Sequence, residues 1–151
     1  VALWDVTLPA SSDIFSCIKS PLHAVVSVFA LSAVHPAKHV KCFENMRDIL
    51  LHYAKDRSEE GVILFRDYGI HDVTMYRHKH RHGQSLFGRA DGTLAYYFDV
   101  STLRSVAQAA GLSVRELQYA TVRTANRKTG SVIHRAFVHA VLSSAPLLGT
   151  L

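Results

Sequence analysis

Cysteine is scarce. The two in 151 residues, Cys17 and Cys42, stand at neither metal-type nor redox-type spacing, which excludes a disulfide-stapled scaffold and a zinc ribbon and fits a reducing compartment. Long hydrophobic runs are missing too. The longest, Ala24 to Val34, is the length of a buried strand and its flanks, well short of the ~20 residues that a membrane helix needs. No secretory leader is recognisable, and there is no internal repeat or low-complexity tract. With 48% hydrophobic and 19% charged residues, the chain is expected to form a single domain with a sizeable core, 1–151, cytoplasmic, with nucleus and mitochondrion left open. It opens on Val1, with Trp4 already in a strand-like context, as though cut from a longer protein.

Acidic residues are nearly absent from one stretch. Between His71 and Ala90 a single acid, Asp72, faces Arg77, Lys79, Arg81 and Arg89, interleaved with His71, His78, His80 and His82; the whole chain carries a net charge of +5. Such a segment suits a polyanion, because basic loops gain affinity for nucleic acid by releasing condensed counterions. A solvated loop that keeps the protein soluble is the competing reading. His78, His80 and His82 alternate as strand residues on one side would, but no cysteine or carboxylate lies near to complete a tetrahedral set, so no metal site is assigned.

Periodicity predicts the elements. Ser12 or Asp13 caps a short helix through Lys19, and Leu22 to Val34 forms a continuous buried strand closed by His35-Pro36. Val40, Phe43, Met46, Ile49, Leu50 and Tyr53 recur at three-four spacing within a helix from Ala37 to Lys55, and Val62 to Phe65 makes a second strand. This is a right-handed βαβ unit. Gly69 to Thr93 lacks sustained periodicity and is long for a connection, the mark of a functional loop. Asp99 caps a helix over Ser101 to Ala110, which Gly111 ends. Val114 to Arg123 and Val132 to Leu142 then pair through the polar turn Thr124 to Gly130.

The richest chemistry sits at the end of the second strand. Ile63-Leu64-Phe65 runs into Arg66-Asp67-Tyr68-Gly69, and parallel sheets bind ligands at the carboxyl ends of their strands. Arg66 and Asp67 as a buried ion pair is the structural alternative.

The motifs Phe29-Ala30-Leu31-Ser32-Ala33-Val34-His35-Pro36, Arg66-Asp67-Tyr68-Gly69, Met75 with Arg77, Arg89-Ala90-Asp91-Gly92-Thr93 and Tyr96-Tyr97-Phe98 closely resemble the methyltransferase-like tRNA N3-methylcytidine methyltransferases. Asn126-Arg127 and Arg135 before Phe137 resemble that family's terminal hairpin. The resemblance runs from Asp5 to about Leu142. It implies an α/β fold, the C-terminal half of a Rossmann-like class I sheet with parallel strands and a terminal antiparallel hairpin strand, and a reaction that moves a methyl group from S-adenosylmethionine to tRNA. It also implies cofactor contacts at Asp5, Val6, Phe29 and Leu31, and RNA contacts at Arg77, Lys79, Arg81, Arg89, Asp91, Thr93, Asn126, Arg127 and Lys128. The family's glycine-rich turn and the acidic strand end that binds ribose have no counterpart here. Phe87-Gly88 and the histidine-rich insert also depart from its pattern.

Methyl transfer to cytosine N3 is an in-line displacement that needs positioning more than a base, since N3 carries a lone pair at neutral pH. Asp67 is the expected catalytic carboxylate, facing an open cleft beside the exocyclic amine of the base and stabilising the charge that develops there. Arg66 is expected to hold that carboxylate or the cytosine carbonyl, and Tyr68 to stack on the extruded base. By itself the chain is expected to bind S-adenosylmethionine poorly and to be inactive. The expected partners are tRNA, an aminoacyl-tRNA synthetase or other protein, and a second copy through the unpaired edge of the strand Leu22 to Val34, unless the chain's own N-terminal segment covers that edge, with no membrane. A class I methyltransferase with a protein or small-molecule acceptor, and a non-catalytic RNA-binding module, are the alternatives.

Overall fold

A computed structural model describes residues 3–54, 60–125, 127, 130 and 132–144. The elements are α1 (Ser12–Cys17), β1 (Ala24–Val28), α2 (His39–Tyr53), β2 (Val62–Tyr68), β3 (His80–Arg81), β4 (Leu86–Gly88), β5 (Leu94–Tyr96), α3 (Val100–Ala109), β6 (Ser113–Ala125) and β7 (Val132–Ser143). The main sheet has the order β1-β2-β7-β6. β1 and β2 run parallel, in register from Ala24 beside Val62 to Val28 beside Arg66, and β7 runs antiparallel to both β2 and β6. This is the mixed α/β sheet expected, with its single reversed strand inside the order rather than at its end.

Strand alternation decides what faces the core. Ile63, Phe65 and Asp67 of β2 and Val138, Ala140 and Leu142 of β7 are buried, and the apolar residues among them pack with Cys42, Phe43, Met46 and Leu50 of α2 and Leu103 and Ala107 of α3. α3 is capped as anticipated: Asp99 accepts from the Ser101 and Thr102 amides at 2.7 and 3.3 Å, and Gly111 takes a left-handed φ of 72° beyond its end. On the opposite face Val26, Val28 and Leu64 remain exposed. β1 has no strand on its outer edge among the described residues.

Two expectations need correcting. The run Leu22 to Val34 is not one strand. β1 stops at Val28, because Phe29 adopts a left-handed φ of 52° and the chain then turns through a 3₁₀ segment, Leu31–Ala33. Nor is Gly69 to Thr93 bare loop. It contains a 3₁₀ turn, Val73–Arg77, and β3 and β4, which with β5 make a separate three-stranded antiparallel sheet. Strands of two and three residues are too short to leave a periodic signal.

Candidate active site

The two sheets meet at the carboxyl end of β2. The Phe98 amide donates to the Tyr68 carbonyl at 2.7 Å and the Ile70 amide to the Phe98 carbonyl at 2.9 Å, so the residues after β5 lie against the residues after β2. Tyr68 and Tyr97 meet across this junction, their rings tilted by 41° with centres 5.8 Å apart. Between them opens a cavity of about 360 Å³ lined by Tyr68, Thr74, Arg77, His78, Arg89 and Tyr97, within the usual size range of small-molecule sites. Phe29 stacks on Tyr68 with ring centres 5.0 Å apart. The guanidinium groups of Arg89 and Arg135 lie 6.0 and 5.6 Å from the Tyr68 ring, within cation–π range. Among the described residues, two that are not glycine, Phe29 and His71, hold positive φ angles, and they follow the ends of β1 and β2 respectively; backbone strain of this kind concentrates at binding and catalytic sites.

Asp67 does not face that cavity. It shares the parity of Ile63 and Phe65, is fully buried, and its carboxylate accepts from the backbone amides of Ser32 at 2.9 Å and Tyr68 at 2.8 Å. Burial pushes its carboxyl above the ordinary range, against the opposing pull of the amides of Ser32, Tyr68 and Leu31. The expected open-cleft carboxylate is therefore a buried tie between the ends of the two parallel strands. Arg66 points to the other face by the same alternation. It does not hold Asp67; it lies over the Phe137 ring at 4.6 Å and the Phe29 ring at 5.9 Å. Of the three residues expected to be catalytic, only Tyr68 lines the cavity.

The residues expected at the cofactor divide in a similar way. Asp5 is exposed, and the Thr7 hydrogen bonds hold its carboxyl below the ordinary range, so it is a charged acceptor near the start of α2. The Val6 carbonyl accepts from Asn45 Nδ2 at 2.8 Å, which pins this segment to α2. Phe29 is partly exposed. Leu31 is a correction: its side chain is fully buried and its carbonyl bonds His39 Nε2 at 3.0 Å, so it presents no side chain to a ligand. Taken singly, the exposed carboxylate of Asp5 suits a hydrogen bond and the Phe29 ring suits stacking on a purine nucleoside; the buried Leu31 side chain suits neither.

Of the basic residues, Arg77 and Arg89 line the cavity, and Lys79, which follows His78 in the chain, is exposed. Arg81 bonds the Gly83 carbonyl at 2.6 Å and packs near Phe87, which shapes the turn between β3 and β4. Asp91 and Thr93 bond each other: the Asp91 carboxylate accepts from the Thr93 amide at 3.0 Å and its hydroxyl at 2.7 Å. They build the turn that presents Arg89. Arg127 is exposed, whereas Asn126 and Lys128 lie outside the described residues. No group of three or more His, Cys, Asp or Glu among the described residues is placed to hold a metal ion, and no helix there is long and apolar enough to cross a membrane.

The sequence reading missed the polar network behind the cavity. Asp72 is fully buried; it accepts from Arg135 Nε at 2.8 Å, the Ala136 amide at 2.9 Å and both the amide and hydroxyl of Thr74. Burial alone would raise its carboxyl, but these bonds together hold it below the ordinary range. Thr74 Oγ1 continues to Tyr97 Oη at 3.0 Å, and Tyr97 Oη to His78 Nε2 at 2.7 Å. The Asp72-Val73-Thr74 spacing is an N-cap pattern and was the available signal.

No family model matches the chain. It is 34% identical over 125 residues, 82% of its length, to the mouse protein named tRNA N(3)-cytidine methyltransferase METTL6, of which it spans 42%. It is 30% identical over 118 residues, 76% of its length, to O-methyltransferase 3 of Dictyostelium discoideum, of which it spans 25%. The chain thus spans less than half the length of these curated relatives. Among solved structures, a SAM-dependent methyltransferase from Anabaena variabilis superposes with a TM-score of 0.61 at 12% identity, over 93% of this chain and 56% of that one.

Proposed function

As a homologue of the tRNA N3-cytidine methyltransferases over about four-fifths of its length, carrying half of a class I methyltransferase fold, this chain, we propose, is the acceptor-binding part of a protein that methylates cytidine N3 in tRNA with S-adenosylmethionine. The observation that carries this reading is the cavity where Tyr68, Arg77 and Arg89 come together at the carboxyl end of β2.

S-adenosylmethionine, when bound, supplies an electrophilic methyl group on sulfur; Asp5 and Phe29 are the residues of this chain that would hold its adenosine. The rest is positioning. Tyr68, held on one side by Phe29, offers its other face to an extruded base. Arg77 and Arg89 supply donors for the pyrimidine carbonyl or the adjoining phosphate. Asp67 locks the ends of β1 and β2 so that Phe29 and Tyr68 keep their spacing, which is a positioning role. Lys79 and Arg127 extend the basic surface along the RNA backbone. A cytoplasmic location belongs to the same proposal, with nucleus and mitochondrion as alternatives, and the free cysteines Cys17 and Cys42 support a reducing compartment.

The test is methylation of tRNA by the full-length protein, read as 3-methylcytidine by mass spectrometry of digested tRNA. Appearance of that nucleoside supports the reading, and its absence alongside methylation of another acceptor overturns it. The likeness to O-methyltransferase 3 favours, as a second reading, an oxygen acceptor other than tRNA, which methyl transfer from S-adenosylmethionine into an RNA-depleted cell extract by the full-length protein would reveal.

A further inference from the structure

The hydrogen bonds behind the cavity have a direction. Asp72 Oδ1 can only accept, because the bonds around it hold its carboxyl below the ordinary range and so ionised. Thr74 Oγ1 therefore donates to it, leaving the threonine oxygen as an acceptor. Burial pushes the Tyr97 hydroxyl up, so it keeps its proton and donates to Thr74. The remaining lone pair of Tyr97 Oη then accepts a hydrogen bond from His78 Nε2–H. Neutral imidazole carries one N–H, so with Nε2 as the donor Nδ1 is left as a bare acceptor. His78 lines the cavity, and its Nδ1 has no hydrogen-bond partner among the described residues.

We propose that His78 Nδ1 is the group that tells cytosine from uracil in this cavity, accepting a hydrogen bond from the exocyclic amine of cytosine. This deepens the tRNA-methylation reading and rests on it for the cavity being the base site. Cytosine carries an amine donor where uracil carries a carbonyl acceptor, so a fixed lone pair attracts the first and repels the second. The amine also shares the positive charge that builds on the ring as N3 is alkylated, so the same bond strengthens in the transition state. Tyr97 is the positioning residue. Its hydroxyl does not touch the base but sets which nitrogen of His78 stays bare, while Phe87 and Tyr97 pack beside the imidazole at 5.7 and 5.8 Å.

Long-range proton–nitrogen spectra of the ¹⁵N-labelled 151-residue chain test this directly, with cytidine 5′-monophosphate and uridine 5′-monophosphate as probes. Both nucleotides present the same phosphate to Arg77 and Arg89, so the comparison isolates the base. The expected result is the Nε2–H tautomer at His78, a shift at Nδ1 on adding the cytidine nucleotide, and about tenfold tighter binding of cytidine than uridine, the scale of one net hydrogen bond. His78→Phe should erase the preference. His78→Asn, which keeps an acceptor near the Nδ1 position, should restore part of it, and Tyr97→Phe should mix the tautomers and weaken it without lowering the melting temperature by more than a few degrees. An Nδ1–H tautomer, equal affinity for the two nucleotides, or no response of His78 to either overturns the proposal. A cytidine preference in the chain, with no 3-methylcytidine formed by the full-length protein, would leave the proposal standing and defeat the methylation reading alone.

Discussion

The Asp67 carboxylate accepts the Ser32 amide at 2.9 Å across a sequence separation of 35 residues, joining the end of β2 to the 3₁₀ turn that follows β1. Because Asp67 is fully buried, removing it strands two backbone donors rather than exposing a catalytic gap. Asp67→Ala should destabilise the fold by about 2–4 kcal/mol, the cost of leaving such donors without partners, read as a lower urea midpoint. A variant with full stability and lost methylation in the full-length protein would return Asp67 to the chemistry.

Asp72 and Arg135 make the second long-range tie, 2.8 Å apart and separated by 63 residues. Asp72→Asn should cost about 3 kcal/mol, as breaking a buried pair does. The pH dependence follows from opposite shifts. The Asp72 carboxyl lies lower in the folded than in the unfolded chain, so its stabilisation is present above the ordinary carboxylate range and is lost as pH falls through the folded value. The Asp67 carboxyl lies higher in the folded state, so its protonation favours the fold as pH drops. Of these two buried carboxyls, Asp72 and not Asp67 should therefore contribute to acid unfolding, and Asp72→Asn should reduce the loss of stability below about pH 4. An unchanged acid limb in denaturant titrations would contradict this.

Asp99 serves the first turn of α3 through the amides of Ser101 and Thr102. Asp99→Ala should cost about 1 kcal/mol, in the range of a lost N-cap, seen as a drop of several degrees in thermal unfolding followed by circular dichroism. Asp99→Ser should recover most of it.

Arg77 and Arg89 line the cavity, where charge removal reports on RNA contact. Arg77→Gln and Arg89→Gln should each weaken binding of tRNA and lower the slope of log affinity against log salt by about 1. Fluorescence anisotropy at several salt concentrations measures both, and an unchanged slope would place the RNA backbone elsewhere.

The readable parts of this protein were the locally coded ones. The three-four spacing of Phe43, Met46 and Leu50 announced α2, the Asp99 cap and Gly111 bounded α3, and Arg66-Asp67-Tyr68 marked the strand end where the cavity lies. The face of Asp67 was also within reach, since it shares parity with Ile63 and Phe65, but the polar side chain was read as a ligand contact when it was a partner for buried amides. β3 and β4 were illegible because so few residues carry no period.

What the amino-acid sequence determined by itself was element type, order and the basic character of one segment, because helix spacing, caps and charge are set by neighbours along the chain. Tertiary structure alone decided that Tyr68, Tyr97 and His78 share a cavity and that Asp67 does not. The reason is that hydrogen-bond partners such as Ser32 with Asp67 and Asp72 with Arg135 are dozens of residues apart. Such pairings follow from how the two sheets abut at Tyr68 and Phe98, which no local pattern encodes.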